Sequence, residues 1–176
     1  MFVNKWKDLS NKRKISFFIF AVLAIIWMCM IYSFSAQVGD VSSKQSGTLT
    51  QKVVRVVDSD YVHPEKAKPK TFEFVAERFV RKSAHFMCYA VLASLCFFAI
   101  GMVCGVPEKK KVPFVAAFVI STVYACLDEY HQTFVDGRAG RIVDVFIDCG
   151  GVLVGILLCV LGCITYLKYM EKKNNT

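Results

Sequence analysis

The sequence predicts an all-α protein, a membrane bundle of four transmembrane helices with one extracytoplasmic loop of about 50 residues. Of its 176 residues, 55% are apolar and only 20% are charged. A soluble domain has roughly 45–50% apolar and about 25% charged residues, so the composition favours a membrane. The aromatic content of 14% excludes a disordered chain. The length fits a single domain spanning 1–176.

The first two apolar segments predict helices at about 15–32 and 86–106. A spanning helix needs about 20 residues, within a range of roughly 17–25. The first segment also follows a basic start, as a signal peptide does, but its apolar run exceeds the usual 7–15 residues of a signal core. We therefore expect a retained first helix.

The third and fourth segments predict helices at about 112–132 and 142–167. The apolar run Val112–Leu127 is too short to span alone, so its helix must continue into polar residues as far as Gln132. The fourth segment is longer than a helix needs to be to span the membrane, and its first two turns carry acidic residues.

The segment at about 33–85 is the predicted extracytoplasmic loop. Prolines interrupt its middle part, because proline removes a backbone donor. From Thr71 onward, apolar and charged residues alternate with helical spacing. This pattern predicts an amphipathic helix that runs into the second membrane segment.

The net charge of +8 predicts an orientation rather than a nucleic-acid partner. Residues 1–14, the turn 105–111 and the tail 168–173 together carry the whole of it. By the positive-inside rule, these segments belong in the cytoplasm. We expect a multi-pass protein of a bacterial cytoplasmic membrane with both termini cytoplasmic, surrounded by the lipid bilayer and binding no nucleic acid.

The eight cysteines all lie in or beside apolar segments, and none forms a C-x-x-C pair. We interpret them as small apolar membrane residues rather than as redox or metal groups.

Small residues at Gly151-x-x-x-Gly155 and Ala90-x-x-x-Ser94 allow two helices to approach closely, although lipid-facing glycines would give the same pattern. If helix four packs on helix two, its acidic first turns come close to His85.

Polar residues collect where the predicted helices leave the membrane on the outer face. Arg81 and His85 are one helical turn apart, as are Asp144 and Asp148, so each pair shares a helix face. Two neighbouring carboxylates near lipid repel each other, so at least one needs a cation or a proton. Arg81, Arg138 and Arg141 are the available cations.

Two hypotheses fit this polar cluster. It is either a site in which arginines bind an anionic group and His85 with Glu129 transfers protons, or a set of ion pairs that locks the helix ends together. Arg78 and Lys82 also fit interfacial anchors whose charged ends reach the headgroups.

No cofactor and no metal site is predicted. The groups that could ligate a metal are His85, His131, Asp128, Glu129, Asp144 and Asp148. The sequence has no H-E-x-x-H motif and no short histidine pair. A serine nucleophile such as Ser35 or Ser83 lacks a G-x-S-x-G turn.

Three motifs together resemble the VanZ-like family of bacterial membrane proteins. They are Arg81-Lys82-x-Ala84-His85-Phe86-x-x-Tyr89, then Asp128-Glu129-x-x-Gln132-x-Phe134-x-x-Gly137-Arg138, then Asp144 with Gly151 and Gly155. Ser35 and Gln37 resemble the first short motif of the family. One departure is Asp148, where the family pattern has asparagine.

The resemblance implies a membrane protein acting at the cell envelope, in a family whose namesake is associated with resistance to the glycopeptide antibiotic teicoplanin. It marks a set of candidate site residues. The candidates for catalysis are His85, Glu129, Asp128 and Asp144, and those for binding are Arg81, Lys82, Gln132, Arg138, Ser35, Gln37 and Tyr89. The ligand would be a cell-wall precursor, a lipid or a glycopeptide. The alternative is a non-catalytic membrane factor that binds a lipid, a drug or an envelope protein, so enzymatic activity stays open.

Overall fold

A computed structural model of the chain describes Trp6 and residues 9–36, 70–136 and 140–175, and for residues 70–77 it describes the backbone alone. These residues form four α-helices and no strand, which confirms the predicted all-α class. The helices are α1 (Asn11–Ser35), α2 (Lys70–Cys104), α3 (Lys111–Gln132) and α4 (Ile142–Asn174).

The helix ends differ from the predicted ones mainly at α2. This helix begins at Lys70, directly after the last proline of the loop, so the amphipathic stretch and the membrane segment form one helix. Residues 70–85 of the predicted loop are helical, as the amphipathic pattern from Thr71 onward predicts. The middle of that loop, residues 37–69, lies outside the described part of the chain. The predicted extension of α3 to Gln132 is confirmed.

All four helices are long and apolar enough to cross a membrane, so the chain is a multi-pass membrane protein. Their outward faces carry large apolar side chains such as Ile25, 60% exposed, and Leu158, 63% exposed. In water such a surface would be an aggregation hazard, whereas in a bilayer it contacts lipid tails.

Helix α2 is the centre of the bundle, and α4 packs on it through glycines. A Cβ placed on Gly151 would overlap the backbone carbonyl of Phe86, and one on Gly155 would overlap that of Ala90. The Ser94 hydroxyl also donates to the Gly155 carbonyl, 3.3 Å away. The close packing of helices two and four, predicted from the small residues, is therefore present.

Side-chain hydrogen bonds fix α1 against its neighbours. The Trp27 indole N–H donates to the Cys88 carbonyl of α2 at 2.9 Å, and the Tyr124 hydroxyl of α3 donates to the Met28 carbonyl at 2.6 Å. Such bonds satisfy groups that lipid tails cannot. All eight cysteines are free thiols.

The two ends of the bundle differ in character. At one end the Arg13 guanidinium donates to the Val106 carbonyl at 3.3 Å, close to the basic turn before α3. At the other end α1 and α3 finish and α4 begins, and there the Ser35 hydroxyl meets Asp128. This second end holds the polar side chains considered next.

Candidate functional site

A cavity of about 190 Å³ opens between α2, α3 and α4 at this end of the bundle; we call it the polar pocket. Nine of its ten lining side chains are polar or charged. The lining residues are Arg78, Arg81, Lys82, His85, Glu129, Gln132, Arg141, Asp144, Ile147 and Asp148.

The α2 wall of the polar pocket follows from helical spacing. Arg78, Arg81 or Lys82, and His85 recur at intervals of three or four residues, which places them along one face of a helix. Arg78 was interpreted from sequence as an interfacial anchor, but it lines the polar pocket. Its spacing from Arg81 and His85 was the signal that could have identified it.

On α3, Gln132 holds two neighbouring carboxylates in place. Its amide nitrogen donates to Asp128 Oδ2 and to Glu129 Oε1, both at 3.2 Å. The Ser35 hydroxyl donates to the same Oδ2 of Asp128 at 2.9 Å. All three α3 side chains are buried, so these hydrogen bonds lie in surroundings of low dielectric constant and orient the carboxylates.

The residue before α4 provides a second hydrogen bond that orients Glu129. The backbone N–H of Arg141 donates to Glu129 Oε2 at 3.1 Å. This approach requires a small residue just before it, because a Cβ on Gly140 would overlap the Glu129 carbonyl oxygen. Both oxygens of the Glu129 carboxylate are thus oriented by hydrogen bonds.

Buried polar atoms lie directly behind the polar pocket. Asp128 is 4% exposed, and its Oδ1 has no hydrogen-bond partner among the described residues. The fully buried Tyr89 hydroxyl lies near this carboxylate, without a hydrogen bond of standard geometry to any described group. Tyr89 therefore belongs to the rear of the site rather than to its lining.

Two acidic residues of α4 face the polar pocket and differ in their burial and in their partners. Asp144 forms an ion pair with Lys82, and both side chains are partly exposed. Asp148 is 1% exposed, and its Oδ2 has no hydrogen-bond partner in the described part of the chain. Asp148 lines the polar pocket and is therefore a member of the site.

The donor atoms of three residues cluster tightly at the centre of the site. One atom each from His85, Asp128 and Glu129 lie within 4.8 Å of one another. Two carboxylates and an imidazole at such distances can share protons or bind a cation.

The structure thus brings together most of the predicted site residues. Those lining the polar pocket are Arg81, Lys82, His85, Glu129, Gln132 and Asp144. Ser35, Asp128 and Tyr89 lie behind it. Gln37 and Arg138 lie outside the described residues, so their predicted roles rest on the sequence.

Four helices that are long and apolar enough to cross a membrane, with a charged pocket at one end of the bundle, place the chain among the multi-pass helical membrane proteins. The model of the VanZ/LLP1 family matches residues 20–164, and the chain belongs to this family. No curated protein and no solved structure matches the chain.

Proposed function

We propose that this VanZ-family protein acts at the cell envelope by binding or modifying a wall-linked or lipid-linked component that carries an anionic group such as phosphate. The observation that carries the proposal is the polar pocket, where Arg78, Arg81 and Arg141 adjoin His85 and Glu129. Arginine binds phosphate through paired donors. Charged residues at membrane depth are costly and are usually retained for function.

The position of the polar pocket suits a lipid-linked ligand. It lies where the helices leave the apolar region, so a headgroup can enter it while the lipid chains stay against the apolar helix surfaces. In the orientation proposed from the basic segments, with both termini in the cytoplasm, this end faces the outer leaflet of the cytoplasmic membrane. Wall precursors are exposed there, and a link to teicoplanin resistance would follow from altering or masking them.

Binding is tested directly with a polyprenyl phosphate and the purified full chain in detergent, by native mass spectrometry. One bound lipid per chain is expected. Arg81→Gln should weaken binding by about tenfold or more, since it removes a charge-assisted pair of hydrogen bonds. Lys173→Gln is the matched control, because Lys173 lies in the last turn of α4 at the opposite end. Equal binding by both variants would refute the proposed site.

The non-catalytic alternative is favoured by one observation. Both Glu129 oxygens already accept hydrogen bonds, which suits a fixed recognition group better than a mobile base. In cells where the protein produces an envelope phenotype, such as altered teicoplanin susceptibility, an enzyme should lose that effect with His85→Ala and with Glu129→Gln at normal protein level. A binding protein should tolerate Glu129→Gln and lose the effect with Arg81→Gln.

A further inference from the structure

The central cluster of the polar pocket has the composition of a metal site. The donor atoms of His85, Asp128 and Glu129 lie within 4.8 Å of one another. Ligand atoms bonded to a zinc ion at about 2.0–2.2 Å lie roughly 3–4 Å apart. Small side-chain rotations would therefore bring three ligand atoms into bonding distance of one ion and leave further coordination positions open.

A second observation also points to a ligand at this place. Asp128 Oδ1 and Asp148 Oδ2 are buried oxygens without hydrogen-bond partners in the described part of the chain. Asp128 and Asp148 are 4% and 1% exposed. Buried polar atoms normally have partners. The Tyr89 hydroxyl lies near Asp128, so it is the orphaned Asp148 oxygen beside the cluster that indicates a missing electropositive group.

The other oxygen of Asp128 is held as metal ligands usually are. Metal-binding side chains are commonly oriented by hydrogen bonds from a surrounding shell of residues. Here Ser35 and Gln132 hold Oδ2 of Asp128, which leaves Oδ1 available. Gln132 and the Arg141 backbone orient the two carboxylate oxygens of Glu129.

We propose that His85, Asp128 and Glu129 bind one divalent transition-metal ion, Zn²⁺ or Mn²⁺, with Asp148 next to the ion. One imidazole with carboxylates suits these two metals. The sequence did not predict this site, since its donors come from two helices without a metal motif. The inference rests on the proposed function for its biological meaning, because a metal ion beside the arginines would also bind the phosphate group.

The test uses the full chain purified in detergent, stripped with a chelator and titrated with ZnCl₂ alone and with MnCl₂ alone. Equilibrium dialysis with elemental analysis should give one ion per chain. His85→Ala and Asp128→Asn should each weaken binding by at least about tenfold. His131→Ala is the control, because His131 stacks on Tyr32 at 4.8 Å outside the cluster and should leave binding unchanged.

A spectroscopic measurement identifies the ligand itself. Pulsed electron paramagnetic resonance of the Mn²⁺-loaded protein should show coupling to a histidine nitrogen, lost in His85→Ala and kept in His131→Ala. If His85→Ala does not fold, Asp128→Asn still tests the affinity. No stoichiometric ion in the wild type, or equal loss in His131→Ala, would overturn the inference.

The metal site and the proposed function can fail separately. If the chelator-treated wild type binds the polyprenyl phosphate but takes up neither metal, the metal inference fails and the proposed function stands. If it takes up one ion but binds no lipid phosphate, the reverse holds.

Discussion

At the scale of single residues, the site is governed by the cost of burying acidic groups. Asp128, Glu129 and Asp148 are all buried, and each approaches the others closely enough to repel when charged. For Asp128 and Glu129, hydrogen bonds from Gln132, Ser35 and the Arg141 backbone offset the cost of burial. Asp148 is the least compensated, which makes it the residue most sensitive to a change of charge.

Asp148→Asn should stabilise the chelator-treated protein. The substitution keeps the shape of the side chain, removes a carboxyl group whose charged form is disfavoured by burial and by its acidic neighbours, and adds an amide donor toward the neighbouring carboxylates. A gain of about 1 kcal/mol corresponds to a rise of roughly 2–4 °C in the unfolding midpoint for a chain of this size. Thermal unfolding in detergent measures it.

The matched control for this change is Asp136→Asn, since Asp136 is exposed and should leave the midpoint unchanged. A lower midpoint for Asp148→Asn without metal would show that the carboxylate already has a stabilising partner in the fold.

At the scale of the helices, the site depends on how closely α4 approaches α2. Lipid provides little hydrophobic drive for helix association, so small residues that allow close contact are important. Gly151 and Gly155 meet the backbone of α2 at Phe86 and Ala90. This contact fixes the position of α4 along the axis of α2. Asp144 and Asp148 of α4 thereby lie beside Arg81 and His85 of α2.

Gly155→Ala should destabilise the bundle, because its Cβ would overlap the Ala90 carbonyl oxygen. Overpacking of this kind costs about 1–3 kcal/mol. Gly162→Ala is the control on the same helix, since a Cβ there meets nothing within 4 Å. It should be neutral, or stabilising by up to about 1 kcal/mol through helix propensity. Unfolding in detergent measures the midpoints of the Gly155→Ala and Gly162→Ala variants. Equal midpoints for the two variants would contradict the packing argument.

At the scale of the whole molecule, the distribution of charge separates the two ends of the bundle. The turn before α3 and the last turn of α4 are basic, whereas the polar pocket combines acids and bases. In a bacterial membrane this asymmetry favours the basic end inside. The proposed access of the polar pocket to an outer-leaflet ligand depends on that orientation.

Labelling of single cysteines in cells tests the orientation, on a background without the native cysteines. A membrane-impermeant thiol reagent should modify Asp136→Cys, at the pocket end, in intact cells. Lys109→Cys, in the turn at the opposite end, should react only after the cells are opened. The reverse pattern would place the polar pocket in the cytoplasm and exclude an outer-leaflet ligand.

The sequence by itself determined the four helices and the composition of much of the site. Apolar run length predicts spanning helices because lipid leaves backbone groups no partner outside a helix. Helical spacing and the family resemblance together marked Arg81, His85, Glu129 and Asp144, since positions one turn apart share a face whatever the tertiary fold.

Only the tertiary structure decided what depends on contacts between helices. It placed Arg78 in the polar pocket and buried Asp148 without a partner for Oδ2 in the described part of the chain. It also brought His85 of α2 within reach of two α3 carboxylates. The distances between side chains of different helices follow from contacts such as those of the glycines, which set how closely and at which level neighbouring helices pack. The periodicity within a single helix does not encode these distances.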